Sequence, residues 1–381
     1  MLARSVHKAH SILRTLSTLN VNSAVEPIHK NIKNELALPR FTKVEGWAKE
    51  GDPNIKILKG IFSPIGQSLK SQGKLVILEG KRLIVDALNL GLVPSHLLFS
   101  RFDLLKDIPL STKNDDSSER IQLYQTSYRL IKEWSSLTTP TGLMAAFSRE
   151  DIISLASKSS HTQLPMVLIL DNVRNPDNMG AILRSAAASG VSKIIATHGC
   201  VDVWNDKCIR GGCGAHFMLP LLTNIKWDLI HRHVPRIANT ALADLHRKSE
   251  KGIGSELEIR KTVENLMAHC VSEYRVSDAE SPGDYLDSSY FEESILSQYA
   301  SLDIKSSQYW NFHKEEEIQD TILVIGGETQ GISPQARKFV LDRDGTKYFI
   351  PLMNGIESLN VGIATSILLF EIQKSYPSAL S

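Results

Sequence analysis

Three segments of the sequence place polar side chains or glycine directly after an apolar run. The first, residues 171–184, crowds Asx residues and Pro176 into the start of a helical stretch that carries Arg184 about one and a half turns in. Such a turn can cap the helix and direct its backbone amides at a phosphate. A polar helix cap and a solvated arginine would explain any one of these residues equally well.

The second segment, residues 326–331, contains three glycines and Glu328. Glycine lets the backbone approach a ligand closely, although most glycine-rich turns are only turns. Neither this segment nor residues 211–214 has the spacing Gly-x-Gly-x-x-Gly. A dinucleotide-binding fold is therefore unsupported.

The third segment, residues 350–362, brings Ser358 and Asn360 to the start of a strongly apolar helix. An ordinary serine cap is the simpler explanation of Ser358. All three segments follow apolar strand runs, and open α/β sheets bind ligands at the carboxyl ends of their strands. We therefore expect the three segments at one edge of a sheet.

Alternating strand and helix patterns predict two α/β units, at 51–150 and 165–381. In the first unit the predicted strands are 75–78, 96–99, 121–124 and 143–147, with helices at 81–90 and 128–134. In the second they are 166–170, 193–196, 218–221, 321–325 and 348–352, with helices at 179–189 and 359–373. The continuous apolar runs of the second unit favour strands buried on both faces of a parallel sheet.

The charges of the 381-residue chain are unevenly distributed, although its net charge is only +1. Between Asp244 and Glu317 there are 16 acidic and 8 basic residues, whereas the remainder has 35 lysines and arginines against 26 acids. That remainder is basic enough to meet phosphate. The acidic stretch has no steady period, so residues 245–319 are predicted to be a partly disordered insertion in a loop.

The first 25 residues have the composition of a mitochondrial transit peptide. They place three basic residues opposite an apolar arc and contain no acidic residue. A disordered basic tail is the alternative. Residues 26–50 are predicted to be a linker. The longest apolar runs are shorter than a membrane span, and the four cysteines have no zinc-binding spacing, so neither a membrane protein nor a metal site is indicated.

Taken together, the three segments resemble the SpoU/TrmH family of the SPOUT superfamily. The resemblance rests on Asn178 with Arg184, on Gly326-x-Glu328, and on residues 358–361 after Ile350-Pro351. Residues 78–90 resemble the start of the family's L30e-like substrate-binding domain. Members of the family are RNA ribose 2′-O-methyltransferases.

The resemblance implies a trefoil-knotted methyltransferase domain that binds S-adenosylmethionine without a metal. Gly326, Ile350 and Leu359 would form the cofactor pocket. The catalytic residues would be Arg184, Glu328, Ser358, Asn360 and Asn178. The family assigns the proton-accepting role to the arginine; because a guanidinium normally stays protonated, the alternative is a bound phosphate and a stabilised alkoxide, with Glu328 orienting Arg184.

The resemblance also implies a homodimer whose active site is shared, with the final helix in the interface. It points to ribosomal RNA of the mitochondrial large subunit, in the matrix, and to a guanosine in the peptidyl-transferase region. A tRNA substrate and a non-catalytic RNA-binding assembly factor of the mitoribosome are the alternatives. A redox or nucleotide enzyme is remote, because the glycine fingerprint is missing.

Overall fold

The computed structural model describes residues 41–44, 52–63, 74–110, 121–158, 163–243, 296, 299, 302–314, 320–328 and 331–376. The chain divides into two compact units, one ending at Ser148 and the other beginning at Arg149. The predicted transit peptide and most of the predicted acidic insertion lie outside the described residues. No helix within the described ranges is both long and apolar enough to cross a membrane.

The first unit is built on a five-stranded mixed sheet. Its elements are β1 (Phe41–Lys43), α1 (Pro53–Phe62), β2 (Leu75–Glu79), α2 (Lys81–Asn89), β3 (His96–Phe99), β4 (Gln122–Gln125), α3 (Tyr128–Trp134) and β5 (Leu143–Ser148). The strand order is β1-β4-β3-β5-β2, with β5 antiparallel to both of its neighbours. Strand β1 lies in the range predicted as a linker; three residues are too few to show a period.

Burial explains the apolar patterns of this sheet. Strand β5 lies between two others and is buried at five of its six positions, so it has a continuous apolar run. Strand β2 lies at the edge, where only Val76 and Leu78 are buried, and its burial alternates. Helix α3 begins where the Ser127 hydroxyl accepts a hydrogen bond from the amide of Leu130, 3.3 Å away.

The second unit contains a seven-stranded parallel sheet. Its elements are α4 (Arg149–Ser157), β6 (Leu164–Asp171), α5 (Pro176–Ala188), β7 (Val191–Thr197), α6 (Asp206–Gly212), β8 (Leu221–Ile225), β9 (Asn239–Ala243), β10 (Ser306–Gln308), β11 (Thr321–Gly326), α7 (Pro334–Leu341), β12 (Thr346–Phe349) and α8 (Val361–Gln373). The strand order is β10-β12-β9-β11-β6-β7-β8. The predicted parallel α/β fold is confirmed, and its apolar central strands β6 and β11 are buried on both faces.

The chain does not fill this sheet in sequence order. Strand β11 enters between β9 and β6, and β12 then pairs on the far side of β9. Helix α8 returns to pack on α5, where the hydroxyls of Ser185 and Ser366 are 2.7 Å apart. The segment 350–360 must therefore run back across the carboxyl ends of β9 and β11.

Two predicted strands are displaced in the structure. The strand predicted at 218–221 forms at Leu221–Ile225, because residues 215–217 make a 3₁₀ turn. The strand predicted at 348–352 ends at Phe349, before Pro351, which cannot donate a ladder hydrogen bond. Strand β10 and the buried Phe312 show that residues 302–314, inside the predicted insertion, belong to the sheet and its core.

Candidate active site

A cavity of about 800 Å³ opens at the carboxyl ends of β9, β11 and β12. Its walls are the turn after β11, the segment 350–360 and the first turns of α8. Small-molecule sites usually enclose about 300–1,000 Å³ and lie at this edge of an open α/β sheet. The cavity therefore has the size and the position of a binding site for one organic ligand.

The three residues predicted to bind the cofactor all line this cavity, namely Gly326, Ile350 and Leu359. A side chain at Gly326 would come within 2.8 Å of the carbonyl oxygen of Gly331. A side chain at Gly327 would come within 2.1 Å of the carbonyl oxygen of Asn172. Because backbone atoms cannot move aside easily, glycine is required at both positions for this turn to fold against the strand ends.

Three of the predicted catalytic residues meet at the mouth of the cavity. The side-chain amide of Asn360 donates hydrogen bonds to Asn178 Oδ1 at 2.9 Å and to Glu328 Oε1 at 3.3 Å. The amide of Asn178 also donates to Glu328 Oε1. Residues separated by up to 182 positions in the chain thus form one hydrogen-bonded cluster, which we call the amide–carboxylate cluster.

Both asparagines of the amide–carboxylate cluster lie at helix N-termini. Asn178 is in the first turn of α5, whose cap Asn175 accepts hydrogen bonds from the amides of residues 177 and 178. Asn360 caps α8, and its Oδ1 accepts from the amide of Gly362 at 2.9 Å. Helix N-termini carry partial positive charge, so both favour the Glu328 carboxylate and any anionic group near it.

Two predicted catalytic residues stand outside this cluster. Arg184 is exposed on α5, six residues or about 9 Å beyond Asn178. Within the described part of the chain its guanidinium makes no hydrogen bond with Glu328, so the orientation of Arg184 by Glu328 stays a prediction. Ser358 lines the cavity and is exposed, but Asn360 and not Ser358 caps α8.

Sequence reasoning missed a second group of polar residues behind the cavity. Asp171 ends β6 with no solvent exposure, and burial raises the pKa of its carboxyl group. Its oxygens accept hydrogen bonds from the backbone amide of Ser333 at 2.7 Å and from the indole of Trp227 at 3.0 Å. The sequence feature that could have identified this group is an acidic residue at the end of an otherwise apolar strand. Among the described residues, no cluster of acids, histidines and cysteines could hold a metal ion.

Comparisons with known proteins identify relatives of this chain. Residues 165–263 match the model of the SpoU rRNA Methylase family. The mitochondrial rRNA methyltransferase 3 of Mus musculus is 34% identical over 319 residues, covering 79% of this chain and 68% of the mouse protein. The mitochondrial rRNA methyltransferase 3A of Danio rerio is 37% identical over 341 residues, covering 89% of this chain and 71% of the fish protein.

A solved structure extends the likeness to the fold. The AdoMet-bound rRNA methyltransferase from Sinorhizobium meliloti superposes with a TM-score of 0.57 at 17% identity, covering 88% of this chain and 98% of the bacterial one. The superposition therefore includes strands of both units. The mouse and fish relatives are more than 30% identical to this chain over more than two thirds of their length, so the sequence as well as the fold identifies the family. The chain belongs to the SpoU rRNA methylase family.

Proposed function

We propose that this protein transfers a methyl group from S-adenosylmethionine to a ribose 2′-hydroxyl of mitochondrial large-subunit rRNA, at a guanosine in the peptidyl-transferase region. The observation that carries the proposal is the cavity at three parallel strand ends with the amide–carboxylate cluster at its mouth. The names of the mouse and fish relatives support rRNA as the substrate and the mitochondrion as the location. Within the mitochondrion, the proposed location is the matrix.

The residues of the cavity fit S-adenosylmethionine. Ile350, Leu352 and Leu359 supply apolar surface for the adenine, and the turn at Gly326 and Gly327 leaves backbone groups accessible to its polar edge. Two structures of the same fold, at 17–18% identity, were solved with this cofactor. When bound, S-adenosylmethionine supplies a methyl group on a sulfonium that leaves as a neutral thioether.

The protein must then align the ribose oxygen and accommodate the loss of its proton. Asn360 is held by Asn178 and Glu328 at the mouth of the cavity, and Ser358 is exposed beside it. These two side chains are positioned to bind the sugar hydroxyl and its neighbouring phosphate. The proton passes to solvent water, and Arg184 stabilises the alkoxide that develops as it leaves, a role that suits a permanently charged guanidinium.

A homodimer would bring Arg184 to the cavity. Helix α8 exposes Ile363 and Phe370, whose exposed fractions are 55% and 43%, and it packs beside α5, which carries Arg184. Large apolar side chains exposed on one helix favour an interface. We propose that two copies pair through α8 so that Arg184 of each chain reaches the cavity of the other, which completes the site.

Two further features belong to this proposal. The return of residues 350–360 across β9 and β11 to α5 supports a trefoil knot, in which the C-terminal segment passes through a preceding loop. The mixed sheet of the first unit, matched along with the second by the bacterial structure, supports an L30e-like domain that binds the RNA substrate.

The proposal is tested by incubating the purified protein with methyl-labelled S-adenosylmethionine and mitochondrial RNA, then digesting the RNA to nucleosides. We expect label in a 2′-O-methylated guanosine from the large-subunit rRNA, and loss of that modification in cells depleted of the protein. Label found only in tRNA would show that the substrate is tRNA and not rRNA. A protein that binds rRNA but transfers no label would be an assembly factor.

A further inference from the structure

Asp171 is the last residue of β6 and lies beside the cofactor cavity, although it does not line it. It pairs in register with Gly326 of β11, and its side chain is completely buried. Within the described part of the chain it forms no ion pair with a lysine or arginine. A buried carboxylate without a cation is costly unless hydrogen bonds stabilise it, so the groups that donate to Asp171 are informative.

The two oxygens of this carboxylate hold segments that follow different strands. Oδ2 accepts a hydrogen bond from the backbone amide of Ser333 at 2.7 Å. Oδ1 accepts from Trp227 Nε1 at 3.0 Å and from Asn172 Nδ2 at 3.3 Å. The carbonyl oxygen of Asp171 also accepts from the amide of Gly327 at 2.8 Å. One residue therefore fixes both ends of the turn that follows β11.

That turn is a wall of the cavity. Gly326, Gly327, Gly331 and Ile332 line it, and Gly327 packs against the backbone of Asn172 with no room for a side chain. The amide of Gly331 donates to the carbonyl oxygen of Gly327 at 3.0 Å, which closes the turn. A shift of Ser333 away from Asp171 would displace this wall.

The chemistry of the contacts requires a carboxylate. Ser333 N–H and Trp227 Nε1–H approach opposite oxygens, and both groups can only donate. An asparagine would place its own NH₂ against one of these donors in either orientation of the amide. The hydroxyl of Thr197, which lowers the pKa of Asp171, can rotate to donate or accept and so does not discriminate.

We infer that Asp171 is a positioning residue for the cofactor site: its acceptor-only carboxylate holds residues 326–328 and 331–333 in the arrangement that S-adenosylmethionine requires. The inference rests on the proposed function. It assigns Asp171 no contact with the cofactor or the RNA. Asp171 instead fixes the positions of the Gly326 and Gly327 backbone atoms that line the cavity.

The test measures S-adenosylmethionine affinity by calorimetry and unfolding by thermal denaturation for three variants of the full chain. Asp171→Asn should weaken S-adenosylmethionine binding by about tenfold, as expected for a lost hydrogen bond to a charged group. Thr321→Val is the matched control, because its buried hydroxyl, 2.6 Å from that of Tyr376, lies at the opposite end of β11. It should lower the unfolding temperature without changing the affinity.

The double variant Asp171→Asn with Trp227→Phe separates positioning from general damage. Removing the indole leaves the side-chain amide of Asn172 as the hydrogen-bonding partner on that side, and this amide can rotate to present its oxygen to the new NH₂. The oxygen of the new asparagine can then accept from Ser333. We expect most of the lost affinity to return. Unchanged affinity in Asp171→Asn, or equal weakening in Thr321→Val, would overturn the inference while leaving the proposed function intact. A wild-type protein that binds no S-adenosylmethionine would overturn both.

Discussion

The two sides of the candidate active site differ in how much of each one chain supplies. The donor side, formed by the cavity and the amide–carboxylate cluster, is complete in a single chain, with every side chain of the cluster held by another. The acceptor side, formed by Arg184 and by Ser358 on the wall of the cavity, is exposed and lies outside that cluster. On the proposed function, RNA and a second copy of the chain complete the acceptor side.

Removing the guanidinium of Arg184 should affect the acceptor side without affecting the donor side. Arg184→Ala should slow methyl transfer by about 10²–10³-fold, the usual effect of deleting a group that stabilises developing charge. Its S-adenosylmethionine affinity should stay unchanged, because the proposed role of Arg184 is to stabilise the ribose oxygen and not to hold the cofactor. Single-turnover transfer and calorimetry give the two values, with Arg236→Ala, an exposed arginine elsewhere on the second unit, as the control. Equal loss of affinity would contradict the separation.

The exposed face of α8 offers an independent way to break the acceptor side. Replacing Ile363 and Phe370 with aspartate should dissociate the dimer and reduce transfer by about the same factor as Arg184→Ala, because Arg184 then has no partner cavity. Sedimentation measures the association. Ile237→Asp, at a side chain that is 81% exposed, is the control and should leave the dimer intact. An active monomer would refute the shared site.

On the donor side, the largest effect is expected from the turn after β11. Gly327→Ala would place a methyl group 2.1 Å from a backbone oxygen, so the turn must move and S-adenosylmethionine affinity should fall by more than about tenfold, or 1.4 kcal/mol. Gly91→Ala is the matched control. Its φ is +87° and there is open space for the added methyl group, so the substitution costs about 1–2 kcal/mol of backbone strain in the first unit and should leave the affinity unchanged.

The smallest predicted effect tests the amide–carboxylate cluster alone. Asn360→Asp still caps α8, because aspartate accepts hydrogen bonds as asparagine does, but it repels Glu328 and donates nothing. Methyl transfer should fall by roughly tenfold, with an unfolding temperature near that of the wild type. Asn360→Ala loses the cap as well and should unfold about 1 kcal/mol more easily. If the loss of activity in both variants is proportional to their loss of stability, the amide–carboxylate cluster has no role in the reaction.

The central strands and the edge of the cavity could be predicted from the sequence, whereas the contacts within the site could not. Apolar runs such as those of β6 and β11 predict buried parallel strands, and the polar residues after them predict the cavity edge. Strands β9 and β10 lack such a run, so their places in the sheet depend on tertiary pairing. Asn178, Glu328 and Asn360 could be named from their motifs, whereas their mutual hydrogen bonds depend on how β11 and α8 return to the centre of the sheet.

Mixed dimers test the shared site most directly. Arg184→Ala protein is mixed with Asn360→Asp protein under conditions that exchange subunits, and 2′-O-methylated guanosine in large-subunit rRNA is quantified. Each mixed dimer contains one cavity with an intact cluster facing an intact Arg184, so the mixture should be more active than either variant alone. A mixture no more active than the average of the two variants would contradict the account, because all catalytic residues would then act within one chain.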